Sequence, residues 1–176
     1  LIRPITFGVV FWRSITEAWA HRKRSGLRGE EVDCPVPDKT DDCAITEYTK
    51  AIAFNPNNVP AYLARGAAHL KAFAFDSAIA DFTKAIELEP NDDSAYINRG
   101  SAHYEKAEFD RAIADFTKAL ELNPKSALAY CNLGWSYEAV GDERKAIAHY
   151  REALDLDPSL EAARDNLKLL GASPDG

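Results

Sequence analysis

The sequence predicts an all-α fold, an array of antiparallel helix pairs stacked one on the next. Three observations carry that expectation. A phrase of 34 residues occurs three times, at 59–92, 93–126 and 127–160; units that repeat at such a period bury their apolar faces only against their neighbours. Within it, residues 79–88 return as 113–122 with a single exchange, Ile86 for Leu120. Finally, the apolar positions of each unit recur at helical spacing rather than in alternation, and prolines at 56, 90, 124 and 158 punctuate the units.

In chain order, residues 1–41 read as an N-terminal segment and linker. The apolar run 5–12 is too short to span a bilayer alone. Arg13 and Glu17 separate it from Ala18 and Ala20, the small residues of a signal-like cleavage pattern. Two readings stand: a targeting segment, or a short helix begun by Ser14 and Glu17 at capping-box spacing, with Trp12, Ile15 and Trp19 for packing. The basic run 21–24 reads as a solvated, disordered flank, and residues 26–41, with Pro35 and Pro37, as a linker.

Residues 42–58 form a half repeat. Ala44, Ile45, Tyr48, Ala51 and Ile52 stand at the same offsets from Pro56 as Ala78, Ile79, Phe82, Ala85 and Ile86 do from Pro90, so a second helix is present without its first. Three full repeats follow, at 59–92, 93–126 and 127–160. In the central one, helices are expected from about Asp93 to Lys106 and from about Phe109 to Leu122. Asp93 and Ser94 offer a cap. Asp110 complements the dipole of the second helix, as Asp76 and Asp142 do in the other units, and Asn123 with Pro124 stops it. Residues 161–171 read as a capping helix, with Arg164 and Lys168 on its outer side, and 172–176 as a tail.

At 176 residues the chain holds one ordinary domain. Its net charge of −7 is uneven: residues 1–25 carry five basic side chains against one acid, and 59–160 carry eleven against seventeen. Nucleic acid is therefore not expected as a partner of the repeats, whose acidity repels phosphate. Three cysteines without a CxxC pair argue against a disulfide framework and a zinc site, and point to a cytoplasmic, reducing location. The alternative is membrane anchoring or export, should residues 1–20 end a longer apolar segment. The chain contains no methionine and begins at Leu1, so it reads as a fragment or a processed form.

These residues resemble the tetratricopeptide repeats. Tyr130, Leu133, Gly134, Tyr137, Ala146, Tyr150, Ala153 and Pro158 fill eight family positions; Tyr96, Gly100, Ala112, Phe116, Ala119 and Pro124, and Tyr62, Gly66, Ala78, Phe82, Ala85 and Pro90, fill six each. The resemblance implies a right-handed α-α superhelix of antiparallel helix pairs over about 42–170. Gly66, Gly100 and Gly134 are expected to let the first helix of each unit approach the second at Ala78, Ala112 and Ala146, and the aromatic residues are expected to fill the spaces between units. Arg65 and Arg99 replace a common leucine, and Asp81 and Asp115 follow sixteen residues later. The third unit loses both together, at Leu133 and His149, so the pairs are expected to form salt bridges.

No catalytic, cofactor or metal constellation emerges: there is no phosphate loop, GxSxG or HExxH. His69 and His103 stand where the third unit has Tyr137, so they read as packing residues. The functional surface implied by the resemblance is the concave face of the first helices. Its candidate peptide-binding residues are Leu63, Lys71, Ile97, Asn98, Ser101, Tyr104, Cys131, Asn132, Trp135, Glu138 and Asn166. Asn98, Asn132 and Asn166, spaced by 34, form a ladder of amides that both donate and accept hydrogen bonds. The family's clamp of Lys, Arg and Asn for a terminal carboxylate is largely missing, since Leu63, Ala67, Leu128 and Asn132 occupy its positions and only Asn98 remains. The expected function is a non-enzymatic scaffold for a protein or peptide. Two other readings are an interaction module of a larger enzyme and a self-assembly module that forms a homo-oligomer through the half repeat. The N-terminal segment leaves a membrane role open.

Overall fold

The computed structural model describes residues 40–173. These residues form eight helices: α1 Thr40–Phe54, α2 Val59–Lys71, α3 Phe75–Leu88, α4 Asp93–Glu105, α5 Phe109–Leu122, α6 Ala127–Ala139, α7 Glu143–Leu156 and α8 Glu161–Leu169. Helices α2/α3, α4/α5 and α6/α7 are antiparallel pairs; α1 takes the place of a second helix, and α8, the last helix among the described residues, that of a first. The targeting and helical readings of the N-terminal segment lie outside the described residues. Among the described residues, no helix is long and apolar enough to cross a membrane.

Local chemistry sets the helix ends. The side chains of Asn58, Asp92 and Ser126 accept from backbone amides in the first turns of α2, α4 and α6, at 3.1, 3.0 and 3.3 Å. The cap of α4 is thus Asp92, one residue before the expected Asp93. An aspartate there reaches the amide of Ser94 from outside the helix, which a residue already in the first turn does less well. Asp142 caps α7 through the amide of Lys145, whereas Asp76 and Asp110 lie in the first turns of α3 and α5 and complement the dipole there.

The turn inside each pair places one residue in the left-handed region: Phe73 at φ 56°, Ala107 at 58° and Gly141 at 83°. Only the third unit uses glycine, the residue suited to that conformation. Phe73 is 71 % exposed and its ring lies edge-on to Phe75 at 6.1 Å, so its side chain offsets little of the strain. Replacing Phe73 by glycine is expected to raise stability by about 1 kcal/mol, read as a higher urea midpoint by circular dichroism; an unchanged or lower midpoint would show that the turn is unstrained.

Consecutive helices pack along the whole stack. The first helices of adjacent units also touch, α2 with α4, α4 with α6 and α6 with α8, more closely than the second helices do. The first helices therefore take the inside of the curve. Phe82, Phe116 and Tyr150 are fully buried at the centre of the three units, and Ala95 and Ala102 of α4 join Tyr62 and Phe82 in one cluster, so each core continues into the next unit. The glycines serve these rings. A Cβ on Gly66, Gly100 or Gly134 would stand 2.6, 2.8 or 2.4 Å from the ring of Phe82, Phe116 or Tyr150. The atoms nearest such a Cβ belong to the aromatic residue one helical turn beyond Ala78, Ala112 or Ala146, and those alanines are themselves fully buried.

The arginine–aspartate pairs form within units. Arg65 grips Asp81 with two hydrogen bonds of 2.9 and 2.6 Å, and Arg99 grips Asp115 with bonds of 2.9 and 2.7 Å. Each guanidinium also donates to a threonine of the preceding second helix, Thr49 at 3.0 Å and Thr83 at 3.2 Å, so one side chain ties three helices. In the third unit His149 stacks on Tyr137 at 5.2 Å instead. The cysteine expectation needs correction: Cys43 is disulfide-bonded. An odd count does not exclude a bridge, and among the described residues Cys131 is a free thiol. Cysteine usage therefore gives no argument for a reducing compartment.

Candidate functional site

The concave face is built from α2, α4, α6 and the capping helix α8. Its eleven expected residues fall into two sets. Leu63, Ile97, Ser101, Cys131, Asn132 and Trp135 are buried, whereas Lys71, Asn98, Tyr104, Glu138 and Asn166 are partly accessible. The buried set supports the surface. Leu63 belongs to the core around Tyr62 and Phe82, Ile97 to the core around Phe116 and Leu133, and Ser101 turns its hydroxyl onto the Ile97 carbonyl at 2.8 Å.

The asparagine ladder is uneven. Its outer rungs, Asn98 and Asn166, are half-buried, but Asn132 is only 3 % exposed, and its Oδ1 is buried without a hydrogen-bond donor. An unsatisfied buried acceptor costs about 1–3 kcal/mol. Cys131 is also sealed in, and burial pushes its thiol up to about 12, which removes the thiolate a nucleophile needs.

The accessible floor is polar at one end and apolar at the other. Near the turns, Tyr104 packs edge-on against Phe109 at 5.4 Å, and Tyr150 donates its hydroxyl to Glu138 at 2.8 Å. At the C-terminal end lies Leu169, 80 % exposed. Leu169 is absent from the expected set, although it stands 34 residues after Trp135 and belongs to the same stripe; the repeat spacing carried that signal.

The described histidines stand among packing and ion-pair partners. His103 Nδ1 meets Glu108 at 2.7 Å, and burial lowers the imidazoles of His69 and His149 below their ordinary range. Among the described residues, no three His, Cys, Asp or Glu side chains gather as a metal site.

This geometry agrees with the similarities to known proteins. Residues 91–159 and 59–92 match models of the tetratricopeptide repeat, and 42–72 a TPR repeat model. The crystal structure of MamA is 31 % identical at a TM-score of 0.70, over 74 % of this chain and 76 % of that one. The chain belongs to the tetratricopeptide-repeat family. The Arabidopsis OM64 TPR domain is 30 % identical at a TM-score of 0.63, over 64 % of this chain and 93 % of that one. The first TPR of Spaghetti (RPAP3), bound to the HSP90 peptide SRMEEVD, is 26 % identical at 0.63, over 64 % and 90 %. No curated protein matches. As a tetratricopeptide-repeat protein, the chain forms a right-handed superhelix that serves protein interaction.

Proposed function

We propose that this tetratricopeptide-repeat protein is a non-enzymatic scaffold that binds a peptide or partner helix along its concave face. The observation that carries this reading is the division of the first helices. Gly66, Gly100 and Gly134 recur because Phe82, Phe116 and Tyr150 fill the space beside them, while the accessible positions differ from unit to unit, as Lys71, Glu105 and Ala139 do at one offset. Packing requires sameness, and recognition requires difference. Asn98 and Asn166 offer amides to the backbone of a bound segment, and Tyr104 and Leu169 offer contact area. An acidic tail like the HSP90 peptide of the RPAP3 complex is a poor match, since Leu63, Leu128 and Asn132 supply no cation.

Photo-crosslinking tests the surface. A photoreactive residue at Asn98 or Tyr104 is expected to yield partner adducts, and one at Glu121 on the outer helix α5 is expected to yield none. Equal labelling at all three positions would remove the concave face from consideration. A second reading, self-association through the half repeat, is favoured by Phe54, 94 % exposed at the end of α1. Light scattering decides it: an oligomer that Phe54→Ser returns to monomer supports this reading, and a monomer at every concentration excludes it.

A further inference from the structure

The two joints between full units share one kind of contact and differ in another. Apolar packing crosses both: Ala95 and Ala102 of α4 enter the cluster of Tyr62 and Phe82, and Ala129 and Leu133 of α6 enter that of Ile97 and Phe116. Polar ties cross the joint between the first and second units. There Arg99, itself gripped by Asp115, donates to Thr83 at 3.2 Å, and Lys106 donates to Asp76 at 2.6 Å. The lysine pair lies at the surface and adds little stability, whereas a guanidinium held on both sides fixes the angle between the helices it joins.

Neither tie can form between the second and third units. Leu133 takes the offset of Arg99 and Val140 that of Lys106, and neither side chain has a hydrogen to donate. Thr117, at the offset of Thr83, bonds the Ile113 carbonyl of its own helix at 2.7 Å. Asp110, at the offset of Asp76, lines an open cleft of about 300 Å³ together with Ala107, Phe109, Arg111 and, from the third unit, Val140. Val140 is 46 % exposed.

We infer that the joint between the second and third units is a hinge, about which α6, α7 and α8 rock as one body against α2 to α5. The shared apolar cluster is the pivot, since apolar contact has no preferred direction, and the cleft gives the turns on either side room to approach. Helix α8 moves with the third unit, to which Arg151 ties it by donating to the Ser173 carbonyl at 3.1 Å. Tyr104 of α4 and Glu138 of α6 stand on opposite sides of the joint, so rocking changes the span of the concave face between them. Only that use in binding rests on the concave-face reading; the hinge itself does not.

Double electron–electron resonance on the full chain tests the hinge. Spin labels borne by unnatural amino acids replace the exposed Glu87 and Asp155, which span the hinge, or the exposed Ala53 and Glu121, which stand the same 68 residues apart and span tied joints only. The distance distribution of the first pair is expected to be about twice as wide as that of the second. Val140→Lys, a surface change that offers Asp110 a cation, is expected to narrow it; adding Leu133→Arg/His149→Asp, which rebuilds the clasp, is expected to bring it to the width of the second pair. Conversely, Lys106→Val is expected to widen the second pair. Equal widths for the two pairs in the otherwise wild-type chain would overturn the hinge, and so would widths that neither Val140→Lys nor Lys106→Val changes. These widths are read without a ligand, so they judge the hinge alone, while the photo-crosslinking result judges the concave face.

Discussion

Arg99→Leu is expected to destabilise the array by about 3 kcal/mol, even though leucine is what the third unit carries at the same place. The leucine itself is tolerable. The cost falls on Asp115, which is 7 % exposed and would lose both of its guanidinium hydrogen bonds, leaving a buried carboxylate with only the His103 imidazole, 4.0 Å away, beside it. Thr83 would lose its link to the same side chain, and the Tyr96 ring the cation lying 5.7 Å from its centroid. In the third unit the leucine is matched by His149, which stacks on Tyr137 and needs no counter-charge. Adding Asp115→Leu should therefore recover more than half of the loss. Urea unfolding followed by circular dichroism measures both variants, and equal stability of the single and double variants would show that Asp115 does not depend on Arg99.

That pair also marks what could be read before the fold was known. Arg65 with Asp81 and Arg99 with Asp115 were legible because the third unit drops both members together, so one chain supplied its own comparison. The glycine and aromatic positions were legible because every unit packs alike. Thr49 and Thr83 were not, since their partners lie in the following unit and only the stacking of helices brings them within reach. The same holds for the concave face. Its stripe follows from helical spacing, but whether a member is accessible depends on the curvature that presses α4, α6 and α8 together. That curvature buries Ile97, Cys131, Asn132 and Trp135 and leaves Tyr104, Glu138 and Leu169 open. Spacing can assign a residue to a face, whereas access is set by helices distant in the chain.

Gly134→Ala should reverse the ordinary effect of that substitution in a helix. At an unobstructed helical position alanine stabilises by about 1 kcal/mol, because glycine loses more freedom on folding. Here the added Cβ would stand 2.4 Å from the ring of Tyr150, far inside contact distance. The ring has nowhere to retreat: it is fully buried, and its hydroxyl is held by Glu138. Overpacking of this kind costs about 1–3 kcal/mol, and the tether on both ends of the ring places the net loss near the upper part of that range. Gly100→Ala meets Phe116 at 2.8 Å, and a phenylalanine has no hydroxyl to pin it, so the ring can slide and the penalty is expected to be smaller. The decisive measurement is Gly134→Ala in a Tyr150→Leu background. With the ring gone, alanine should regain its helical advantage and raise the unfolding midpoint above that of Tyr150→Leu alone; a further fall in the midpoint would mean that the glycine answers some constraint other than the ring.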